Sequence, residues 1–378
     1  MLKLRRAIVV DAEPSANEQR LTVELSEAPG VRRAAIADTG LVGVVQAGDE
    51  VIVNTQALDL GLGSGGFDVV HVNLTRGLDG EPPGEAHVMK LNYTSLQHAV
   101  APVEERDGEE LDLPLERTVG VLALHGQLAA VAFAFAAAAP GRSLGYVQTA
   151  GGALPGSHSR TVGELRERGL LAGHLTAGVA FGGEGEAITT AGALHHGLRE
   201  LGWDAAVCGP GPGIVGSGSV LGHGGIAALD TAHAALALGA RTLIVARMSS
   251  GDERERHRGI SHHTLTVLDL LLEPVTVALP AGMRSPVGAE LRAGLGAVFA
   301  GAGEPGSRPA RPALVPQLER PARITRHDWR RATVDLPAYA ASGLPASTMG
   351  RTLAQDPLFF GAALAGGGVL AELVELEA

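Results

Sequence analysis

Between residue 118 and about residue 300, short apolar runs alternate with longer segments whose apolar residues recur at helical spacing. The apolar runs are TVGVLALHG, SLGYVQTAGG, LTAGVAFGG, DAAVCGPG, RTLIVARMSS and EPVTVALP. A strand that is covered on both faces typically gives such a continuous run. The helical segments between the runs often end in glycine, which is a helix-stop signal. The alternation predicts an α/β domain built on a doubly wound, mostly parallel sheet.

The segments outside this region have other patterns. Residues 1–100 hold short strand-like runs separated by turn residues, and VVQAGDEVIVNT reads as two strands joined by a Gly-Asp turn, so we expect a small β-barrel-like domain there. Residues 101–117 are acidic and lack an apolar period, which indicates a linker. Residues 301–330 are rich in proline and are also interpreted as a linker. Residues 331–378 predict a strand and a helical tail that packs on the α/β domain.

Composition narrows the class of protein. The net charge is −11 over 378 residues, so we expect no nucleic acid partner. The single cysteine, Cys208, excludes a disulfide within the chain and favours the cytoplasm. The most apolar stretch, VGVLALHGQLAAVAFAFAAAA, is interrupted by HGQ, so it predicts a strand and a helix and no membrane span. The sequence is compatible with a homo-oligomer and with a protein partner, and it identifies no interface for either.

Polar residues collect directly after the predicted strands. In a doubly wound sheet, the carboxyl ends of the strands share one edge, where ligands bind. The candidate ligand-binding residues in these loops are Thr149, Gly151, Gly152, Glu184, Gly213, Ser217, Ser219, Arg247 and Arg258, and His125 follows the first strand. We therefore expect a pocket for a small molecule at this edge.

The loop after DAAVCGPG contains a G-x-G-x-x-G pattern from Gly211 to Gly216. No helix opens directly after it, and no acidic residue ends the next strand, so the usual dinucleotide fingerprint is incomplete. The loop is compatible with an anion held by backbone N–H groups and by the hydroxyls of Ser217 and Ser219. Glycines that only allow two backbones to cross are the alternative.

The stretch HRGISHHT places His257, His262 and His263 around a predicted helix start at Ser261. A helix N-terminus disfavours positive charge, so these imidazoles should stay neutral, as a general base or a metal ligand requires. The candidate catalytic residues are His125, His257, His262 and His263. No metal is identified; if one binds, the expected ligands are His125, Glu184, His257 and His262. A polar loop with a helix cap is the simpler interpretation.

The loop also holds four arginines within a span of twelve residues, namely Arg247, Arg254, Arg256 and Arg258. Guanidinium groups bind phosphate and carboxylate by paired hydrogen bonds, so Arg247 and Arg258 are expected to hold an anion. The acidic residues between them also allow a surface network of ion pairs.

Several motifs together resemble one family. They are GLGSGGFD, HVMKLNYTSLQ, YVQTAGGALPGSHSRTV, GPGPGIVGSG, ERHRGISHHTL and STMGR...DPLFF. The chain is similar over almost its whole length to the bacterial domain-of-unknown-function family 3866, which has no assigned activity. The resemblance implies that barrel, α/β region and tail form one standard architecture, and that Met349, Gly350 and Arg351 contribute to the pocket or pack against it.

Two functional hypotheses remain. In the first, the protein binds an anionic small molecule and acts as a transferase or hydrolase through histidine acid–base or metal chemistry, with no cofactor specified. In the second, it is a non-catalytic regulatory or protein-interaction protein that retains the fold.

Overall fold

The computed structural model describes residues 1–378 except 16, 63–65, 79–83, 108–110, 283–319 and 377–378. The first five strands form a closed barrel in the order β1-β2-β3-β5-β4. They are β1 (Leu4–Ala12), β2 (Glu18–Leu25), β3 (Arg32–Asp38), β4 (Glu50–Asn54) and β5 (Asp68–Asn73), and two single helical turns, α1 (Thr39–Val42) and α2 (Gln56–Asp59), connect them. Alternating small and branched residues fill the interior of the barrel, in agreement with the sequence.

Two details of the N-terminal region differ from expectation. The Gly-Asp turn does not join two strands, since residues 44–49 are irregular and only the second apolar run is a strand. The side-chain amide of Gln19 donates to the carbonyl of Val45 and accepts from its N–H, so these backbone groups are not available for strand pairing. The closed barrel ends at Asn73. A separate ribbon of β6 (Val88–Lys90) and β7 (His98–Val100) follows it. Buried Lys90 fixes this ribbon to the α/β domain by an ion pair with Glu186 at 2.6 Å.

The α/β domain contains an eight-stranded sheet in the order β11-β10-β9-β12-β8-β13-β16-β17. All of its strand pairs are parallel. The strands are β8 (Thr118–Leu122), β9 (Leu144–Thr149), β10 (Gly173–Ala177), β11 (Gly185–Ala187), β12 (Ala205–Pro210), β13 (Arg241–Val245), β16 (Thr276–Pro280) and β17 (Asp328–Ala332); the short strands β14 (Met248–Ser249) and β15 (Gly259–Ile260) form a separate ribbon. All six apolar runs contain a strand of this sheet, so the prediction of a doubly wound parallel sheet is confirmed.

Helices cover both faces of the sheet. The helices are α3 (Leu128–Ala138), α4 (Arg160–Glu167), α5 (Thr190–His195), α6 (Ala227–Ala237), α7 (His262–Leu270), α8 (Arg320–Thr325), α9 (Leu336–Ala341) and α10 (Pro357–Glu375). The core on one face joins α3, α4 and α10, and the core on the other joins α5, α6 and α7. Consecutive residues of one strand enter opposite cores, as Ile244 and Val245 do, which explains the continuous apolar runs.

The C-terminal region completes the sheet. Of the proline-rich range 301–330, residues 301–319 lie outside the described residues. The rest is no simple linker, because it contains α8 and the first part of β17, which pairs with β16. Helix α10 is long and apolar enough to cross a membrane by length and composition alone, but 83% of its most apolar window is buried inside the protein. Its hydrophobicity is therefore explained by packing against α3 and the sheet.

Trp203 shows how the high glycine content serves the packing. Its indole is buried among three glycines, Gly145, Gly173 and Gly197. A Cβ atom at any of the three would come within 2.7 Å of the ring. The glycines therefore create the space that the large ring fills.

We expect Gly145→Ala to destabilise the protein by roughly 1–3 kcal/mol, because the new methyl group overlaps the indole. Gly163→Ala is the matched control, since Gly163 is a residue of α4 and a Cβ atom there would meet nothing within 4 Å. The control should raise the free energy of unfolding, by up to about 1 kcal/mol. Urea unfolding measures both changes, and equal effects of the two variants would contradict this account of the packing.

Candidate functional site

A cleft of about 840 Å³ opens beyond the carboxyl ends of β12 and β13, the two strands that flank β8 in the sheet. The chain leaves β8 toward α3 on one face of the sheet and leaves β12 and β13 toward α6 and α7 on the other face. Loops that diverge to opposite faces leave a crevice at such a point. The lining residues are Ile214, Val215, Gly216, Ser217, Gly218, His223, Arg247, Gly251, Asp252, Glu253, Arg254, Arg256, His257, His263, Met349, Gly350 and Arg351.

Local hydrogen bonds fix the histidines of this cleft. Ser261 is the N-cap of α7, and its hydroxyl accepts from the backbone N–H of His263, as the sequence predicted. The same hydroxyl shares a 2.8 Å hydrogen bond with Nδ1 of His257, which folds that ring back toward the helix. A fourth histidine, His223, comes from the loop before α6, and its Nε2 lies 2.9 Å from the carbonyl of Val220.

The four rings pack against one another. His223 and His263 are stacked, with ring centroids 3.5 Å apart and planes 8° from parallel. His262 lies 4.4 Å from His263, and His257 lies 4.9 Å from both of them. The adjacent residues His262 and His263 thus point in different directions from the helix, yet His223 and His257 complete a single cluster with them.

The histidine cluster is uncharged at neutral pH. Burial lowers the pKa of His257 to about 3, that of His262 to about 4 and that of His263 to about 2. Burial also lowers the pKa of His223, and the positive charge of Arg247 adds to the effect in all four rings. Each ring therefore keeps one nitrogen lone pair for a hydrogen bond, a proton or a metal ion.

Three guanidinium groups surround one buried carboxylate, that of Asp252. Arg254 binds it through two hydrogen bonds of 2.9 Å, Arg351 lies 3.3 Å away and Arg247 3.7 Å away. Burial favours the neutral acid, but the hydrogen bonds and charges of the arginines outweigh it and hold the pKa of Asp252 below its usual range. Burial lowers the pKa of Arg247 to about 10, so this side chain stays charged at neutral pH.

Residues of the tail complete the wall of the cleft. Ser347–Thr348 (β18) and Arg351–Thr352 (β19) form a hairpin whose two turn residues, Met349 and Gly350, both have positive φ. Arg247 reaches the sulfur of Met349 at 3.4 Å. Met349, Gly350 and Arg351 therefore line the cleft, in agreement with what the family resemblance implied.

The buried carboxylate of Asp356 holds this hairpin in place. It accepts hydrogen bonds from Oγ of Ser249 at 2.6 Å, the N–H of Ser250 at 2.8 Å and Nε of Arg351 at 3.0 Å. One acidic side chain thus joins the start of α10, the hairpin and the loop after β13.

His125 does not line the cleft. Its Nε2 is 2.7 Å from the hydroxyl of Ser159, and its Nδ1 faces the hydroxyl of Tyr146. Burial lowers its pKa to about 4. The residue does follow β8, but it begins the turn into α3, so its ring enters the opposite core. The expected pairing of His125 with the histidines of residues 257–263 is therefore not what the structure shows.

The other expected residues of the early loops also have partners of their own. Glu184 is half exposed and forms an ion pair with Arg166 at 2.6 Å. The proposed metal set of His125, Glu184, His257 and His262 is thus not brought together. The hydroxyl of Thr149 donates to the neighbouring carbonyl of Ala150 at 3.3 Å. Gly151 and Gly152 allow close approach to the backbones of Gly224 and Gly211.

The glycine-rich loop forms one wall of the cleft. The hydroxyl of Ser217 bonds to that of Ser219 at 2.8 Å and to the carbonyl of Gly222 at 2.9 Å, so both hydroxyls stabilise the loop itself. Gly213 has a positive φ in this loop. Arg258 does not line the cleft, and its Nε donates to the backbone carbonyl of Asp252 at 2.8 Å.

Sequence reasoning missed two central residues, His223 and Asp356. His223 stands alone in VLGHGG, 34 residues before His257, and nothing in its surroundings marks it. The signal for Asp356 was the DP pair at the start of the tail helix, which indicates a helix cap but no contact with a distant loop.

Comparison with known protein families shows which family the chain belongs to. A family model described as a protein of unknown function (DUF3866) matches residues 34–367. The chain belongs to the DUF3866 family. The match begins within β3, so it omits β1 and β2 of the barrel, and it covers the α/β domain and extends into α10. The cleft therefore lies within the part that defines DUF3866. No curated protein and no solved structure matches the chain.

The depressed pKa values predict sensitivity to mild acid. The unfolded chain protonates its histidines near pH 6.5, whereas folding keeps His257, His262 and His263 neutral to about pH 4 or below. The contribution of these histidines to the free energy of unfolding should therefore be fully present above pH 6.5. It should decrease as the pH falls toward 4, by at most about 1.4 kcal/mol per pH unit for each such histidine.

Urea unfolding at pH 7.5, 6.5, 5.5 and 4.5 measures this decrease, because most carboxylates stay ionised over that range. His262→Gln should reduce the slope. A free energy of unfolding that is constant from pH 7.5 to 4.5 would show that the histidines are not kept neutral.

Proposed function

We propose that the cleft binds an anionic small molecule that carries a phosphate or carboxylate group. The observation that supports this most is the imbalance of charge at the cleft: four arginines line it, against the two acidic residues Asp252 and Glu253. Guanidinium groups bind such anions through paired hydrogen bonds, and they do so more strongly where water is partly excluded.

Two of the arginines have hydrogen-bonding capacity to spare. Nε of Arg247 is buried and has no hydrogen-bond partner among the described residues. Arg256 is exposed, and its contacts with the carbonyl of Gly218 at 3.4 Å and with His257 at 3.5 Å are long. A buried donor without a partner costs about 1–3 kcal/mol, and an anion in the cleft offers one.

The cleft also offers groups for proton transfer. His257 and His263 line it in their neutral form, next to the arginines. With the cleft empty these imidazoles are weak bases, but a bound anion neutralises the arginines beside them and raises their pKa, so that they can accept a proton from water or from a substrate hydroxyl. A neighbouring guanidinium stabilises the negative charge that develops. Group transfer or hydrolysis at a phosphate or carboxyl centre is the chemistry that this combination supports, and we infer a cytoplasmic location from the single buried thiol.

We expect Arg256→Gln to weaken binding of pyrophosphate on the order of 10-fold, because one charge-assisted contact is lost. Isothermal titration at low ionic strength, with phosphate and citrate as further probes, measures the affinity. Arg20→Gln is the matched control, since Arg20 is an exposed barrel residue outside the cleft and lies 3.9 Å from the carboxylate of Glu18. The control should bind like wild type.

Binding should also weaken as salt is raised, because the attraction is screened. If none of the three anions binds at low salt, or if Arg256→Gln and Arg20→Gln weaken binding equally, the proposal is wrong. The non-catalytic alternative would then be favoured.

A further inference from the structure

We propose that His223, His262 and His263 bind one divalent transition-metal ion, of which zinc is the representative, in the wall of the cleft. This goes beyond the proposed function, because an ion can bind these rings whether or not the arginines hold an anion. It also differs from the metal set expected from the sequence, which did not include His223 or His263.

The first argument is the distance between the ligand atoms. One ring nitrogen from each of the three histidines lies within 4.8 Å of the other two. The rings come from two anchored segments: His223 precedes α6, and the other two form the first turn of α7 behind the Ser261 cap. A single ion about 2.0–2.1 Å from each nitrogen requires these nitrogens to move closer together, which side chains can do by rotation while the two segments keep their positions.

The second argument is that two of the nitrogens are buried and have no partner. Nδ1 of His223 and Nε2 of His262 lack a hydrogen bond among the described residues. The His223 side chain as a whole is only 6% exposed. Its Nε2 is turned to the carbonyl of Val220, which leaves the lone pair on Nδ1, and metal-bound histidines are usually oriented by just such a bond through the second nitrogen.

The third argument concerns the chemistry of the ligands. Three neutral imidazoles suit zinc and the neighbouring transition metals, whereas calcium and magnesium require oxygen ligands. Three protein ligands leave a fourth position for water or substrate, which is the arrangement of catalytic rather than structural zinc sites. That position would lie beside the arginines of the cleft.

The present ring positions show what must change when the ion binds. The lone pairs lie in the ring planes, and the planes of His223 and His263 are nearly parallel and 3.5 Å apart, so one imidazole has to turn about its Cβ–Cγ bond. Nη1 of Arg247 lies 2.8 Å from Nδ1 of His263 and competes for that ring. Asp252, 3.7 Å from Arg247, offers the guanidinium another partner.

The test uses the full chain after treatment with a chelator. Titration with zinc chloride should show one ion per chain with a Kd of about 1 µM or tighter. His262→Gln and His223→Gln should each weaken binding roughly 100-fold or more, since one of three ligands is lost. His87→Gln is the control, because His87 is exposed on the ribbon of β6 and β7. It should bind zinc like wild type.

Arg247→Met separates a metal site from a simple cluster of rings. It removes the competing guanidinium and keeps the length of the side chain, so zinc should bind more tightly, by about 10-fold. Circular dichroism in chelator must show that each variant is folded. Zinc affinity equal in wild type and in the folded His223→Gln and His262→Gln variants, or weaker binding by folded Arg247→Met, would overturn the proposal. Anion titrations without metal test the arginines separately, so the two proposals fail independently.

Discussion

The arrangement of the cleft depends on one buried carboxylate, that of Asp356. It neutralises part of the charge of Arg351 and accepts hydrogen bonds from backbone N–H groups of the loop after β13. It therefore joins this loop to the tail, which lies about a hundred residues later in the chain. A carboxylate is suited to this role because it accepts several hydrogen bonds at once and is most stable when donors surround it. Together with the ion pair between Arg351 and Asp252 and the contact between Arg247 and Met349, it holds the tail hairpin beside the arginines and histidines of the cleft.

The same charges add to the effect of burial on the protonation of the histidines. A protein interior tolerates a buried arginine such as Arg247 when an acid is close, and Asp252 pairs with it and also with the more exposed Arg254 and Arg351. Burial, and to a smaller extent the remaining positive potential, lowers the pKa of the rings and keeps the cluster neutral. The cleft therefore combines fixed cations, which attract anions, with bases that stay unprotonated well below neutral pH.

Much of the fold could be predicted from the sequence, because strands buried on both faces leave an unmistakable pattern, and the helix cap at Ser261 is local in origin. The grouping of side chains could not. Whether the ring after β8 enters the cleft or the opposite core depends on the turn into α3, and the apolar pattern is the same for either outcome. His223 and Asp356 acquire their importance only from segments distant in sequence, and β11 and β17 are edge strands whose mixed polarity resembles that of loops.

The position of α10 has a consequence for how the protein is made. Ribosomes deliver the chain from its N-terminus, and the barrel strands can pair as soon as residue 73 has emerged. The face of the sheet that α3 shares with α10 stays uncovered until residues 357–375 have been synthesised. A nascent chain with such an exposed apolar surface is prone to aggregate, so the α/β domain is the part of this protein that depends most on protection during translation.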